Sequence, residues 1–303
     1  MDGEGAPEAA ATPADVTALV VAFRSAHALG PCLDALRAEG VRLLVVDNAS
    51  GDASAEVAEA HGARVIRSPR NEGYGRANNL GARAAESRYL LVCNPDVVVE
   101  PGAVTALLAA AERYPEAGLL APRLVEPSGR VFYQPRSLLS ATLANPGGRR
   151  VIPEGDACAP FLSGACFLAR RDLFLEVGGF DPDIFLFYED DDLCRRLLDR
   201  GRAPVHVHAA TARHGRGRST APEPGQVFTT RWHQAWSKAY VSAKYGLPNP
   251  APGMLILNGA RAALACLTFR RPLIERYAGS AAGALASLLG RSALARHGLD
   301  RGR

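Results

Sequence analysis

The chain predicts an α/β fold, a mostly parallel, doubly wound central sheet with a C-terminal helical extension. Three observations carry that expectation. Short apolar runs alternate with stretches of helical periodicity from residue 16 to residue 114, joined by short links. The run Tyr89–Cys93 is apolar throughout, as strands covered on both faces are. Beyond Arg218 only helical periodicity remains.

Taken in order, residues 16–23 read as the first strand and 28–39 as a helix with Leu29, Cys32, Leu33 and Leu36 on one face. Residues 41–46 form the second strand, which runs into Asp47-Asn48-Ala49-Ser50. Residues 53–61 are helical and 63–66 make a short third strand. A helix over 78–87 leads into Tyr89–Cys93, and 102–114 adds another. From 118 to about 161, prolines at 122, 127, 135, 146 and 153 break the pattern. Such a stretch holds extra antiparallel strands and a mobile loop. Patterning returns at 162–170, followed by helices over 172–177 and 190–199 and a late strand over 203–208. The final helices are interrupted at Pro248, Pro250 and Pro252. Three regions follow: a disordered leader (1–15), an α/β domain (16–220) and a basic extension (221–303).

Composition narrows the partners. The formal charge of +4 hides an asymmetry: residues 1–199 hold 19 Arg against 28 acids, and residues 200–303 hold 16 Lys and Arg against 3 acids. A basic C-terminal third suits an anionic surface. Its aromatics (Trp232, Trp236, Tyr240, Tyr245) lie at helical spacing without an RNA-binding signature, which favours lipid and argues against nucleic acid. The apolar stretch 254–269 is shorter than the roughly 20 residues a membrane-spanning helix needs, and Arg261 interrupts it. The acidic N-terminus lacks the basic start and apolar stretch of a signal peptide. Six scattered cysteines without a CxxC pair read as reduced core thiols, not as disulfides or a zinc site. The expected location is cytoplasmic, peripheral at the inner face of the plasma membrane.

Candidate chemistry gathers at strand ends. Asn94-Pro95 interrupts the ladder after Tyr89–Cys93 and leaves Asp96 at the carboxyl edge of the sheet, where open α/β folds place ligands. A carboxylate there suits a divalent cation beside phosphate oxygens; a turn Asp is the plain alternative. Asp47 reaches the same edge, either to accept from a ribose or a uracil or thymine imide, or to cap its own turn. The glycines between Asn71 and Gly81 permit close backbone approach to phosphate, and Arg76 offers a diphosphate contact. Glu189-Asp190-Asp191-Asp192 opens a helix; four adjacent carboxylates repel, and a raised pKa would suit a general base. His214, among the arginines 213, 216 and 218, is a fair ligand for Mn²⁺ and a tolerable one for Mg²⁺.

Together these motifs resemble a family 2 glycosyltransferase of GT-A fold, in its bacterial rhamnosyltransferase-like branch. The matching stretches are 45–50, Asn71 to Asn79, Asn94-Pro95-Asp96, Ser163-Gly164-Ala165, 177–181, 189–194 and 214–219, over about residues 16–220. The resemblance implies an inverting enzyme that moves a sugar, rhamnose among the candidates, from a nucleotide-diphospho-sugar to a hydroxyl of a lipid-linked or polymeric glycan of the cell envelope. It implies a divalent metal, Mg²⁺ or Mn²⁺, at Asp96 with His214. Donor binding would involve Asp47, Asn48, Asn71, Gly73, Arg76, Asn78, Asn94, Asp96, Ser163 and Gly164. Asp190, second acid of the family's Glu-Asp pair, would be the base, with Asp192 and Glu189 as alternatives. Two departures stand out: Asn94 replaces the first acid of the commoner Asp-x-Asp, and Arg24 stands where relatives often carry Asn. Two other classes stay open, a sugar nucleotidyltransferase and a non-catalytic membrane-recruited scaffold.

Overall fold

In the computed structural model, residues 10–134, 137–139 and 152–299 are described. Of the expected leader, residues 1–9 lie outside that set. Pro13–Asp15 forms a 3-10 turn in which the Asp15 carboxylate accepts the Thr12 N–H at 2.8 Å. Pro135 and Pro146, in the expected mobile loop, also lie outside the described residues.

One sheet organises the molecule. β1 (Val16–Ala22) runs parallel between β2 (Arg42–Asp47) and β4 (Tyr89–Cys93), with β3 (Arg64–Arg67) parallel outside β2. Beyond β4 come β9 (Cys166–Arg170), β6 (Leu119–Val125), β10 (Pro204–His214) and β5 (Val97–Val99). β9 runs antiparallel to both β4 and β6, so the parallel expectation holds for β3-β2-β1-β4 and for β6–β10 and is broken between them. β7 (Val131–Phe132) pairs antiparallel with β6, and β8 (Ala157–Cys158) with β10; these are extra antiparallel strands of the kind expected between 118 and 161.

Both faces are covered. On one, α1 (Ala26–Ala38), α2 (Ser54–Ala60) and α4 (Ala103–Arg113) bury Leu29, Leu33, Leu36, Ala58, Val104 and Leu107 against Val20 and Leu91. On the other, α3 (Tyr74–Ala84), α5 (Arg171–Glu176) and α6 (Glu189–Leu198) pack Ala77, Phe174, Leu193 and Leu197 against Leu19, Leu90 and Phe167. Alternate residues of β1 and β4 therefore feed opposite cores, which is why their sequences are apolar without interruption.

Two elements differ in extent from expectation. α3 starts at Tyr74, four residues before Asn78, because Gly73 at φ 82° turns the chain directly into it. β10 continues six residues past His208, across an irregularity between Val207 and Thr211.

The extension consists of α7 (Gln226–Lys244), α8 (Ala251–Leu267) and α9 (Arg271–Leu288). Gly279 and Gly283 let α9 close on α7: a Cβ at either would run into the carbonyl of Phe228 or Trp232. The extension packs on the α/β domain through Trp232 and Trp236 against Phe185, and Val241 against Ile184.

Candidate active site

The strand registers bring the candidate residues to one edge. Ala22 of β1 lies opposite Asp47, and Val20 lies opposite Cys93, so Asn48 and Asn94 both leave the sheet beside the end of β1. The pairing of β4 with β9 sets Cys93 against Cys166, which brings Ser163-Gly164-Ala165 alongside; Asn94 donates its main-chain N–H to Ala165 O at 2.8 Å. The pairing of β10 with β5 sets His214 opposite Val97, next to Asp96.

The chain after β10 then folds over Asp96. Gly215 N–H donates to Asp96 O at 2.8 Å, and Ser219 Oγ to Asp96 Oδ1 at 2.6 Å. The Arg218 N–H donates to Oδ2 at 3.2 Å, and His214 Nε2 lies 3.6 Å from Oδ1. Burial would raise the Asp96 pKa, but His214, the Ser219 hydroxyl and the Arg218 amide outweigh it and hold the carboxyl below its ordinary value. Farther along, Ala221 N–H donates to Arg24 O and Glu223 pairs with the Arg24 guanidinium, tying this segment to the end of β1. Arg24 itself sits at φ 54°.

A cavity of about 1160 Å³ opens at this edge. Asn48, Asn71, Gly73, Asn94, Ser163, Gly164, Glu189, Asp190 and His214 line it. Asp96 lies beneath the lining, in contact with the lining residues His214 and Ser219. Asp190 is half-buried, and its Oδ2 accepts the Gly164 N–H at 3.1 Å. Gly164 O in turn accepts the Tyr74 hydroxyl at 2.6 Å, so one glycine couples α3 to α6. Burial raises the Asp190 pKa against the opposing pull of that amide. Glu189 is buried with Oε2 unpartnered, and burial with the Asp190 charge pushes it well above the ordinary carboxylate range. Asp191 accepts the Ser137 hydroxyl at 2.5 Å and is pushed up to about 7 by burial and by Asp190. Phe187 and Tyr188, immediately before α6, both adopt positive φ (66° and 69°), a costly conformation for aromatic residues that aims the acidic turn into the cavity.

Asn48 works as a clamp. Its Nδ2 donates to Asn71 Oδ1 at 3.0 Å and to Gly73 O at 3.3 Å, while its Oδ1 accepts Glu72 N–H at 2.9 Å. Gly73 admits no side chain, because a Cβ there would strike the Phe185 carbonyl.

Four expected site residues stand elsewhere. Asp47 accepts the Ser50 N–H at 3.3 Å, the turn-capping alternative, and does not line the cavity. Arg76 pairs with Glu72 one turn back at 2.8 Å and does not line the cavity. Asn78 turns its amide to Tyr74 O at 3.0 Å within α3. Asp192, an alternative base, is fully buried and engaged by Arg196 at 2.7 Å, Lys244 at 2.5 Å and the Tyr245 hydroxyl at 2.8 Å. These contacts make it a structural anchor.

The extension forms a further wall of the cavity, outside the sequence motifs. Gln226, Thr230, His233, Gln234 and Lys238 on α7, with Met254 and Asn258 on α8, complete the cavity. The signal was present as a polar stripe at three- and four-residue spacing through an aromatic helix.

Asp96 and His214 suit a divalent cation as a pair. Their facing atoms are close enough for two ligands of one ion, one a carboxylate held in its charged form, and such ions commonly complete their shell with phosphate oxygens and water. Among the described residues no group of three His, Cys, Asp or Glu side chains could hold a metal alone.

The model of the family described as "Glycosyl transferase family 2" matches residues 17–178. The chain is 32% identical over 238 residues to an N-acetylglucosaminyl-diphospho-decaprenol L-rhamnosyltransferase of Mycobacterium tuberculosis (strain ATCC 25618 / H37Rv), covering 66% of this chain and 78% of that protein. It is 26% identical over 194 residues to rhamnosyltransferase WbbL of Escherichia coli (strain K12), covering 58% and 73%. In fold it is similar to a mannosyltransferase of Pyrobaculum calidifontis solved with GDP-Man and Mn²⁺, with TM-score 0.56 and 18% identity over 93% of this chain and 90% of that one.

Proposed function

This chain belongs to glycosyl transferase family 2 and is a glycosyltransferase; from that premise we propose that it transfers rhamnose, with inversion, from a nucleotide-diphospho-sugar to a hydroxyl of a lipid-linked glycan acceptor. One observation carries the mechanism: the cavity holds Asp190 at the start of α6 together with Asn94 and His214 from the sheet edge. A base and a diphosphate-binding edge in one enclosure are the two parts a single displacement requires.

Asp190 takes the proton from the acceptor hydroxyl as oxygen attacks the anomeric carbon. Its raised pKa makes it a stronger base than an exposed aspartate. The Gly164 amide fixes the carboxylate, and Glu189 remains the alternative because it lines the same cavity. Asn94, Ser163 and Gly164 contact the donor, while Asn48 and Asn71 hold the loop that shapes its site. Asp96 and His214 would hold Mg²⁺ or Mn²⁺, which when bound neutralises charge on the departing nucleoside diphosphate.

The enzyme meets its acceptor at an anionic membrane. No described helix is long and apolar enough to cross a membrane. Ile256, Leu257, Leu264 and Leu267 of α8 are 51–78% exposed and Phe269 is 92% exposed. No acid occurs between residues 246 and 274, which include Arg261, Arg270 and Arg271. Apolar side chains among cations fit the interface of an anionic bilayer. Met254 and Asn258 line the cavity from the same helix, so its other side borders the acceptor site.

The test is incubation of the full chain with dTDP-rhamnose and a polyprenyl-diphospho-N-acetylglucosamine in the presence of Mg²⁺. The expected products are dTDP and a disaccharide of inverted anomeric configuration. Release of inorganic pyrophosphate from a nucleoside triphosphate and a sugar phosphate would instead identify a nucleotidyltransferase.

A further inference from the structure

The mechanism leaves one cation of the cavity unused. The chain holds two lysines, Lys238 and Lys244, both on α7. Lys244 is committed to Asp181 at 2.6 Å and to Asp192 at 2.5 Å. Lys238 is half-buried and lines the cavity, with no carboxylate in ion-pair distance among the described residues. The other Lys or Arg of the lining, Arg216, pairs with Glu126. Removing an ammonium partly from water without a counter-charge is costly, and an anionic ligand offsets that cost.

A second, independent feature lines the same cavity. His233 is wholly buried, lines the same cavity, and its Nδ1 has no hydrogen-bond partner. Its Nε2 lies 2.9 Å from His297 Nε2. Burial, then the neighbouring His297 and Arg296, pushes the His233 pKa down to about 3, so the ring stays neutral with a polar atom unsatisfied. One turn before Lys238, Gln234 accepts Arg231 through Oε1 at 2.8 Å, which leaves its amide nitrogen to donate.

The location selects the ligand. The Ser237 hydroxyl donates to Leu186 O at 2.9 Å, fastening this turn of α7 to residues 185–188, which run directly into Glu189 and Asp190. The donor diphosphate belongs to the sheet edge, at Asp96 and His214. A group held by Lys238 therefore belongs to the partner that approaches the base from the helical extension.

We propose that Lys238, with Gln234 and His233, forms a subsite for the phosphate of a phosphate-bearing acceptor, anchoring the anion while the acceptor hydroxyl lies at Asp190. The assignment rests on the lipid-diphosphate acceptor reading given above. Lysine suits the role as a compact charge that meets a phosphate from several directions.

Binding of three probes to the full chain tests it: farnesyl-diphospho-N-acetylglucosamine, octyl N-acetylglucosaminide and dTDP. The wild type should bind the diphosphate probe more tightly than the neutral glycoside. Lys238→Met should weaken the diphosphate probe about ten- to a hundredfold, the effect of losing a charge-assisted hydrogen bond, and leave the other two unchanged. Lys238→Arg should retain most of the affinity. A wild type without preference for the diphosphate probe overturns the acceptor reading itself. A preference that survives Lys238→Met overturns the subsite alone, and an equal loss of dTDP affinity reassigns Lys238 to the donor.

Discussion

The main-chain N–H of Gly164 meets Oδ2 of Asp190 at 3.1 Å, joining the turn before β9 to the first turn of α6. The contact fixes one carboxylate oxygen without neutralising the group. Asp190→Asn keeps the size and an oxygen for that amide while removing the basic site. Turnover should fall about 10²–10⁴-fold, with affinity for the nucleoside diphosphate within twofold of wild type. Steady-state rates with nucleotide titration would check both, and retained turnover would move the base to Glu189.

The pH profile carries a sign. Asp190 acts deprotonated, and burial raises its pKa, so kcat/KM should increase with pH through a midpoint above about 3.9, the value of an exposed aspartate. Glu189 and Asp191 titrate in the same cluster, so the limb reports the set and not one residue. An acid limb centred below pH 4 would contradict the assignment.

Asp191 offers a stability measurement. Its folded pKa of about 7 lies above the unfolded value, so it binds its proton more tightly in the folded state. The resulting cost is absent below the unfolded pKa, accumulates as pH rises, and is complete above about 7. Asp191→Asn retains an oxygen for the Ser137 hydroxyl and should stabilise the protein above pH 7 by on the order of 4 kcal/mol at most. Denaturant midpoints of both proteins should converge at pH 3.5; a constant gain across the range would refute the linkage.

Replacement of Leu264, Leu267 and Phe269 by serine should leave the melting temperature within about 2 °C of wild type, since all three are exposed. Flotation with phosphatidylglycerol vesicles should drop more than tenfold, each large apolar side chain contributing roughly 1.5–3 kcal/mol when buried. Unchanged flotation would place the membrane contact elsewhere.

What the chain disclosed in advance followed physical range. β1 and β4 are legible because burial on both faces leaves continuous apolar runs. The start of α3 is hard to read because Gly75 weakens the helical signal, though Phe180 packs so close that a Cβ there would crowd it. The acidic turn at Glu189 announced itself through repulsion between neighbours. Arg76 carries a charge that suits a diphosphate, but Glu72, one turn away, pairs with it. The polar stripe of α7 does not by itself say what it faces: that depends on how Gly279 and Gly283 seat α9, a contact some 50 residues distant in sequence.

Lys244 reaches back from α7 to pair with Asp181 and Asp192, two carboxylates of the α/β domain, the second of which it shares with Arg196. Trimming the protein at residue 220 to obtain a minimal catalytic fragment would remove that lysine and leave Asp192 with Arg196 as its remaining cationic partner. Chimaeras that graft the helical portion of one relative onto another must therefore exchange the lysine and both aspartates as a unit.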